Sequence, residues 1–309
     1  MALFVNTNVS SINGQRNLTN ATNNLNTTYQ RLSSGLRINS AKDDAAGLQI
    51  SDRLTSQING LNQGNRNTND GIALAQTMEG AMDEMTTMLQ RIRTLAVQSS
   101  NGTNNAKDRE ALQQEVAQLS SEITRIACAT KFGGEQILAG AGAAAGGGAG
   151  GGTGNGLIDK DGNIVIQVGA YNGDTLKMTG FSLGFVLSKI ASTALGAAAK
   201  LDDHGFDKGA FVISMQSLAS KAIDSVDKFI SLIDTKRAHL GAMQNRMESS
   251  IRNQSNVSMN VSDARARIRD TDFAEESAKL SQQTIIQQAA SSMLTQANSR
   301  PQLALSLLG

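Results

Sequence analysis

The chain has 309 residues and a formal net charge of +1, a balance that argues against nucleic-acid binding, which needs a basic face. Aromatic residues make up 3% of the sequence and tryptophan is absent, so the composition favours long helices over a rounded core built on large rings. The one proline, Pro301, interrupts no earlier helix, and the one cysteine, Cys128, excludes an internal disulfide framework.

The first predicted element is a helix with an apolar seam at intervals of four, three and four residues. The seam residues are Leu25, Tyr29, Leu32 and Leu36. This spacing is typical of a coiled coil. Asn39 places a polar group on the seam, and Gly47 loosens the pattern. No second heptad run follows closely enough to fold back on this one, so we expect its partner to lie far along the chain or in another copy of it.

Three further seams with heptad spacing predict long helices. They run through Met78, Met82, Met85, Leu89, Ile92 and Ala96, then through Leu112, Val116, Leu119, Ile123 and Ile126, and finally through Ile223, Val226, Ile230, Ile233, Leu240, Met247 and Ile251. The last seam has polar gaps at Arg237 and Gln244. Helix breaks are predicted at 102–105 and 132–134. We expect the three seams to form one core within a single chain.

The middle of the chain differs in composition. Residues 139–156 are rich in glycine and alanine and predict a flexible loop. From 157 to 180, alternating apolar residues and the turn pairs Asp161-Gly162 and Asn172-Gly173 predict a small antiparallel sheet. A short helix is predicted near 183–198, and a polar loop follows it.

Both ends of the chain are predicted to be thin helices. Residues 1–30 contain eight asparagines, and the C-terminal apolar stripe consists of Ile286, Ala289, Met293 and Ala297. Helices with so little apolar surface are marginal in water, so we expect the ends to be disordered alone and helical only when packed. The mirror-like order of elements predicts a mainly α fold: a long antiparallel helical hairpin, or coiled-coil rod, with a small antiparallel β region in the middle of the chain.

The sequence presents no residue pattern of a catalytic or metal site. Asp159, Asp161 and Gly162 lack the glycine and glutamate positions of a calcium loop and favour a turn. The two histidines, His204 and His239, belong to no HExxH motif. We therefore predict no catalytic residue, no cofactor and no metal.

The sequence shows no sign of a cleaved signal peptide or of a membrane-spanning segment. The first 15 residues lack the basic and apolar regions of a cleaved signal peptide. No segment has the roughly 20 apolar residues needed to span a bilayer, so no membrane insertion is expected.

Six longer motifs carry a family resemblance. In chain order they are RLSSGLRINSAKDDAAGLQIS at 31–51, LQRIRTLAVQSSNGT at 89–103, FGGEQIL at 132–138, RAHLGAMQNRMES at 237–249, DARARIRDTDFAEE at 263–276 and SSMLTQANSRPQLALSLLG at 291–309. With these motifs in this order, the sequence resembles bacterial flagellin over nearly its whole length.

The resemblance implies a subunit that self-assembles into the flagellar filament. It implies an inner-core coiled-coil domain at 1–45 and 264–309, disordered in the monomer, and an outer-core helical domain at 46–138 and 201–263. Residues 139–200 would form the glycine-rich loop, the small β-hairpin region and a short helix, with no separate outer domain. The residues expected to pack in the inner core, within the chain and against neighbouring copies, are Leu25, Tyr29, Leu32, Leu36, Ile286 and Met293.

The resemblance also implies partners and a location. The subunit would be extracellular, exported unfolded by the flagellar export apparatus with an export chaperone and without a cleaved signal peptide. It would contact itself, the filament cap and the hook-junction proteins, and it would be a structural protein and not an enzyme. The alternative is a flagellin-like hook–filament junction protein, which would not polymerise into long filaments.

A last implied partner is a Toll-like receptor of hosts, which recognises flagellins through an outer-core helix. Arg91, Leu95 and Glu115 match the recognised positions, and Arg91 and Leu95 are four residues apart, which places them on one helix face. Thr94 differs from the glutamate commonly found beside them.

Overall fold

The computed structural model describes residues 7–140, 157–159, 162–181, 184–194, 205–207 and 209–306. Within these residues, six helices form: α1 (Val9–Ser34), α2 (Ala45–Ser100), α3 (Ala106–Ala129), α4 (Leu187–Ala194), α5 (Gln216–Arg269) and α6 (Phe273–Ser306). Three antiparallel hairpins pair β1 (Lys131–Phe132) with β2 (Glu135–Gln136), β3 (Ile164–Gln167) with β4 (Thr175–Met178), and β5 (Phe206–Asp207) with β6 (Ala210–Phe211). The predicted mainly α fold with a small antiparallel β region is confirmed.

The helix boundaries coincide with capping residues. The Asn105 side chain accepts a hydrogen bond from the Asp108 amide, and the Asp108 carboxylate accepts one from the Asn105 amide, so a capping box starts α3. Gly35 ends α1 with a φ of 70° and donates its amide to the Arg31 carbonyl. The helix breaks predicted at 102–105 and 132–134 lie between α2 and α3 and just after the end of α3.

The chain divides into two compact units. Unit 1 consists of Met1–Asn59 and Val257–Gly309, and unit 2 consists of Gly60–Asn256. The long helices α2 and α5 contribute residues to both units.

The core of unit 2 lies where the sequence predicts it. The seam of α2 is fully buried from Met78 to Ala96. The polar gaps in the seam of α5 have partners on α2, because Arg237 pairs with Asp83 at 2.9 Å and Gln244 donates to Glu79 at 2.9 Å. The buried positions of α3 are Val116, Ser120, Ile123 and Ala127, with Leu112, Leu119 and Ile126 half-buried beside them.

The β3–β4 hairpin lies against glycines of α2. A Cβ at Gly64 would overlap the Val168 carbonyl, and a Cβ at Gly60 would lie 2.7 Å from that of Ala170. The side chain of Asn67, on the same helix, donates to the Gln167 carbonyl at 3.1 Å. Small residues on α2 therefore let the hairpin backbone approach closely, and the sheet predicted at 157–180 is confirmed.

An aromatic cluster completes unit 2 in a place that the sequence does not indicate. Phe206 and Phe211 from the β5–β6 hairpin pack on Phe229 of α5 with ring centroids 5.1–5.5 Å apart. Gln113 of α3 holds this hairpin by donating to the Phe211 carbonyl at 2.9 Å and accepting the Ile213 amide. The predicted polar loop is therefore wrong at residues 206 and 207, which form a strand.

Other predictions fall partly within the described residues. The short helix expected near 183–198 is α4. Residues 141–156 of the glycine-rich segment, together with Asp161 and His204, lie outside the described residues.

Candidate assembly surface

In unit 1, α1 and α6 pack side by side in opposite directions. The Asn8 side chain donates to the Ala297 carbonyl at 2.8 Å near one end of the pair. Near the other end, Arg31 lies 3.7 Å from Glu276, measured from Nη1 to Oε1. The two ends of the chain are therefore each other's partners, which answers the question raised by the N-terminal seam.

The inward face of α1 repeats at intervals of three and four residues. It consists of Ser11, Gly14, Leu18, Ala21, Leu25, Thr28 and Leu32, all buried or half-buried. Leu25 and Leu32 lie on this face. Tyr29 does not, because it is 53% exposed, and Leu36 lies beyond the end of the helix in an isolated bridge with Asp270.

The inward face of α6 has the same heptad spacing but different residues from those predicted. It consists of Glu276, Leu280, Gln283, Gln287, Ala290, Leu294 and Ala297. Of the predicted stripe, Ala297 is buried, whereas Ile286 is 41% exposed and Met293 is 68% exposed. The inward face includes Glu276, Gln283 and Gln287, so a search for apolar periodicity selects a neighbouring stripe that is mostly exposed.

Unit 1 leaves much apolar surface uncovered. Nine of the thirteen large hydrophobic residues that are exposed in the described chain belong to it. Those on α1 and α6, which we call the outer apolar set, are Val9, Ile12, Tyr29, Phe273, Ile285, Ile286 and Met293. These side chains are therefore available for contacts with another protein.

The two helix breaks of unit 1 are bonded to each other. The Arg37 amide donates to the Arg269 carbonyl at 2.7 Å, and its guanidinium donates to the Ile268 carbonyl at 2.7 Å. The Thr271 amide donates to the Gly35 carbonyl at 3.0 Å. The loop after α1 therefore caps the carbonyl end of α5.

Inside this loop, Asp43 organises the backbone. Its carboxylate accepts hydrogen bonds from the Ser40 amide at 2.9 Å, the Asn39 amide at 3.2 Å and the Ser40 hydroxyl at 3.1 Å. The bond from the Ser40 amide is the main cause that lowers the pKa of Asp43 below its ordinary value. A Cβ at Gly47 would lie 2.5 Å from an Asp44 carboxylate oxygen and 2.6 Å from the Ile38 side chain, so these side chains would have to shift.

The three residues matched to receptor recognition lie in unit 2. Arg91 and Glu115 form an exposed ion pair, with Nη2 2.7 Å and Nε 2.8 Å from the same Glu115 oxygen. Leu95 is 1% exposed and packs in the core. Only Arg91 and Glu115 therefore present side chains at the surface, and Leu95 does not share that surface.

The described residues hold no group of three or more histidine, cysteine, aspartate or glutamate side chains that could bind a metal ion. In the same part of the chain, no helix has the length and apolar character to cross a membrane. Cys128 is a free, half-buried thiol.

Comparisons with known proteins agree with this arrangement. The bacterial flagellin N-terminal helical region matches residues 5–143, and the bacterial flagellin C-terminal helical region matches residues 223–308. Flagellin B of Vibrio cholerae serotype O1 is 37% identical, and flagellin D of Vibrio anguillarum is 39% identical, over all of both chains in each case.

The chain was also compared with solved structures. The flagellin of Bacillus cereus is 27% identical with a TM-score of 0.45, over 61% of this chain and 88% of that one. A Vibrio parahaemolyticus protein described as flagellar hook-associated is 14% identical with a TM-score of 0.53, over 74% of this chain and all of that one. The second likeness is one of fold alone.

A mainly α chain whose paired ends leave an apolar surface uncovered has the properties of a self-associating structural protein. The chain belongs to the bacterial flagellin family. It is a structural subunit of the flagellar filament, an extracellular assembly that serves motility. The hook–filament junction alternative is not favoured, because the relatives that match the whole chain are flagellins.

Proposed function

We propose that this subunit assembles by coupled folding, in which the inner-core domain at 1–45 and 264–309 is disordered in the monomer and becomes helical on polymerisation. The outer apolar set supports this proposal, because these side chains of the terminal helices are exposed to solvent in a single chain. The outer-core domain, at 46–138 and 201–263, holds most of the buried core, to which the segment 139–200 also contributes, and it folds beforehand. The segment 139–200 adds the small β region without a separate outer domain.

The energetics of the α1–α6 pair support this order of events. Among the described side chains of the two helices, the apolar residues that are buried within the chain are Ala21 and Ala297, and the leucines between the helices, such as Leu25 and Leu294, are only half-buried. Ordering a backbone costs about 1–2 kcal/mol per residue, and this limited burial offsets only part of that cost. Contacts with neighbouring copies supply the missing burial.

The inner-core residues divide into two roles under this proposal. Leu25 and Leu32 pack within the pair, whereas Tyr29, Ile286 and Met293 pack against neighbouring subunits. Leu36 lies at the bonded helix breaks. The partners in the filament are therefore other copies of the same chain.

Substitutions at Met293 test this assignment. Met293→Gln removes apolar contact at an exposed site, so we expect seeded filament growth to slow strongly while the thermal transition of the monomer stays unchanged. Met293→Leu, which keeps apolar volume, is the matched control and should grow as the parent does. Equal growth rates for the Gln and Leu variants would show that this side chain faces solvent in the filament.

The family resemblance supports further partners. The subunit leaves the cell through the flagellar export apparatus, with an export chaperone and without a cleaved signal peptide, and contacts the filament cap and hook-junction proteins. It catalyses no reaction. Marginal terminal helices and the absence of any disulfide framework suit passage as an unfolded chain.

Recognition by a host Toll-like receptor rests on Arg91 and Glu115, with Leu95 supporting α2 from the core. Arg91→Ala in the monomer should weaken receptor signalling at matched concentration and leave the fold intact. Arg125→Ala, which removes another exposed ion pair with Glu122, is the control and should signal normally. Equal signalling by both variants would place the recognised surface elsewhere.

A further inference from the structure

We infer that the buried carboxylate of Glu276, facing Arg31 across the helix pair, fixes the axial register between α1 and α6. The two side chains are thus positioning residues of the filament subunit. The inference concerns the paired state, so it does not depend on whether the ends order before or during assembly.

Glu276 is an unusual residue for its position. It is 4% exposed and lies on the inward face of α6. One oxygen lies 3.4 Å from Lys279 of the same helix, and the other lies 3.7 Å from Arg31 of α1. Arg31 is the cation of α1 that lies within ion-pair distance of this carboxylate. After a slide the carboxylate would keep Lys279 but lose Arg31, and loss of a cationic partner is unfavourable for a buried charge.

The rest of the seam discriminates poorly between registers. Both inward faces keep heptad spacing, with small or polar residues at most positions. Sliding one helix past the other by a turn, about 5.4 Å, would place similar side chains opposite each other. A polar group at one seam position of a coiled coil is a known means of specifying register.

The distribution of charge makes the Arg31 pairing unique within a short slide. The basic residues of α1 are Arg16 and Arg31, and that helix has no acidic residue. A shift of four residues would bring Thr27 or Gly35 to the position of Arg31, and a shift of seven would bring Asn24 or Ile38. None of these carries a positive charge, so each shift leaves Glu276 buried without a partner from α1.

Other contacts between the two ends are less selective. The hydrogen bond between Ser11 and Asn298 is neutral and exposed. The bonds across the helix breaks, from Thr271 to Gly35 and from Arg37 to Arg269 and Ile268, end on backbone carbonyls, as does the bond from Asn8 to Ala297, so none of them selects a particular acceptor side chain. A register set by these bonds would survive loss of the Glu276 charge, and the test therefore distinguishes the two possibilities.

Engineered cysteines report the register directly. The Cβ of a residue at position 14 lies 3.8 Å from that of Leu294, a separation that suits a disulfide. The in-register reporter is therefore Gly14→Cys with Leu294→Cys, in a Cys128→Ser background. The two shifted reporters combine Gly14→Cys with Ala290→Cys or with Asn298→Cys. Filaments are assembled under reducing conditions and oxidised, and the intrachain product is measured as a shifted monomer band on a denaturing gel.

We expect Glu276→Gln to lower the in-register yield relative to the shifted yields by about tenfold or more. Lys279→Gln is the matched control, because Lys279 approaches the same carboxylate from its own helix and should leave the register unchanged. Unaltered yields in Glu276→Gln filaments would overturn the inference, and so would an equal change in Lys279→Gln filaments.

A second variant tests the inference if the first one does not assemble. If Glu276→Gln forms no filaments, the exchange of Arg31→Glu with Glu276→Arg restores the pair with its polarity reversed. Filaments with the in-register disulfide support the inference. Failure of the exchange to restore growth, or growth with shifted disulfides, contradicts it.

Discussion

Units 1 and 2 are built from the same kind of long helix, yet they bury different residues. Every large side chain that is fully buried in the described chain, including Phe211, Phe229 and Met82, belongs to unit 2. Unit 1 buries small residues such as Ala21 and Ala297, with Ile38 at the helix breaks and Ile58 on α2. Helical periodicity alone therefore does not make a self-sufficient fold, because the size of the seam residues decides whether a unit can stand alone.

Removal of the C-terminal helix should show the difference between the two units most clearly. Deleting residues 264–309 should leave a soluble monomer with a cooperative thermal transition, because the core of unit 2 is intact, and should abolish filament growth. Growth is measured by electron microscopy after adding seeds. Filament growth by the truncated chain would contradict this division of roles between the two units.

The intact chain provides a complementary measurement. Its far-ultraviolet circular dichroism should show helix content rising on polymerisation, since the terminal helices order then. A monomer that already has its full helix content would contradict coupled folding.

Two glycines of α2 test the packing of unit 2 at a smaller scale. Gly64→Ala should lower the free energy of unfolding by about 1–3 kcal/mol, because its Cβ would overlap the Val168 carbonyl. Gly80→Ala is the matched control on the same helix, where a Cβ would meet nothing within 4 Å, and should raise that free energy by about 0.4–1 kcal/mol. Urea unfolding of the monomer measures both, and equal effects would refute the close approach of the hairpin.

The sequence predicts unit 2 better than unit 1 for a physical reason. Met78, Leu89 and their neighbours are both apolar and inward-facing, so periodicity finds them. On α6 the inward positions include Glu276 and Gln283, so the apolar signal points to the outer face. The outer stripe of α6 can be recognised in the sequence because its side chains are large and apolar. The partner helix α1 nevertheless does not cover them.

Contacts between distant segments were also beyond the sequence. Phe206 and Phe211 meet Phe229 only because Gln113 holds their hairpin against α3. In the candidate site, apolar periodicity can assign Leu25 and Leu32 to the inward face of their helix. It cannot find Glu276, because that residue is charged. The heptad that leads back from Ala297 to position 276 would have pointed to it.

The capping box of α3 gives a smaller expected effect within unit 2. Asn105→Ala should lower the free energy of unfolding by about 1 kcal/mol, since the Asp108 amide loses its acceptor. Asn105→Ser, which keeps a capping oxygen, should be nearly neutral. Thermal unfolding of the monomer checks both, and a neutral alanine variant would show that the cap contributes nothing.

The smallest effect concerns Asp43 in unit 1. Hydrogen bonds, first from the Ser40 amide, lower the pKa of Asp43 below the ordinary 3.8 in the folded loop. The stabilisation is therefore fully present above pH 3.8 and is lost as the pH falls through the lower folded pKa. Because the carboxylate is exposed and solvent screens its charge, the contribution to stability is below about 1 kcal/mol.

This contribution should appear in the filament, where we propose that the loop is ordered. Asp43→Asn should raise the critical monomer concentration for growth about twofold at pH 6. The two proteins should converge as the pH falls below 3.8, because the parent carboxylate becomes neutral. Critical concentrations from sedimentation at several pH values measure this. A difference that persists or grows in acid would show that the Asp43 charge does not stabilise the loop, and that the bonds from Arg37, Ile38 and Thr271 across the helix breaks hold unit 1 at this point.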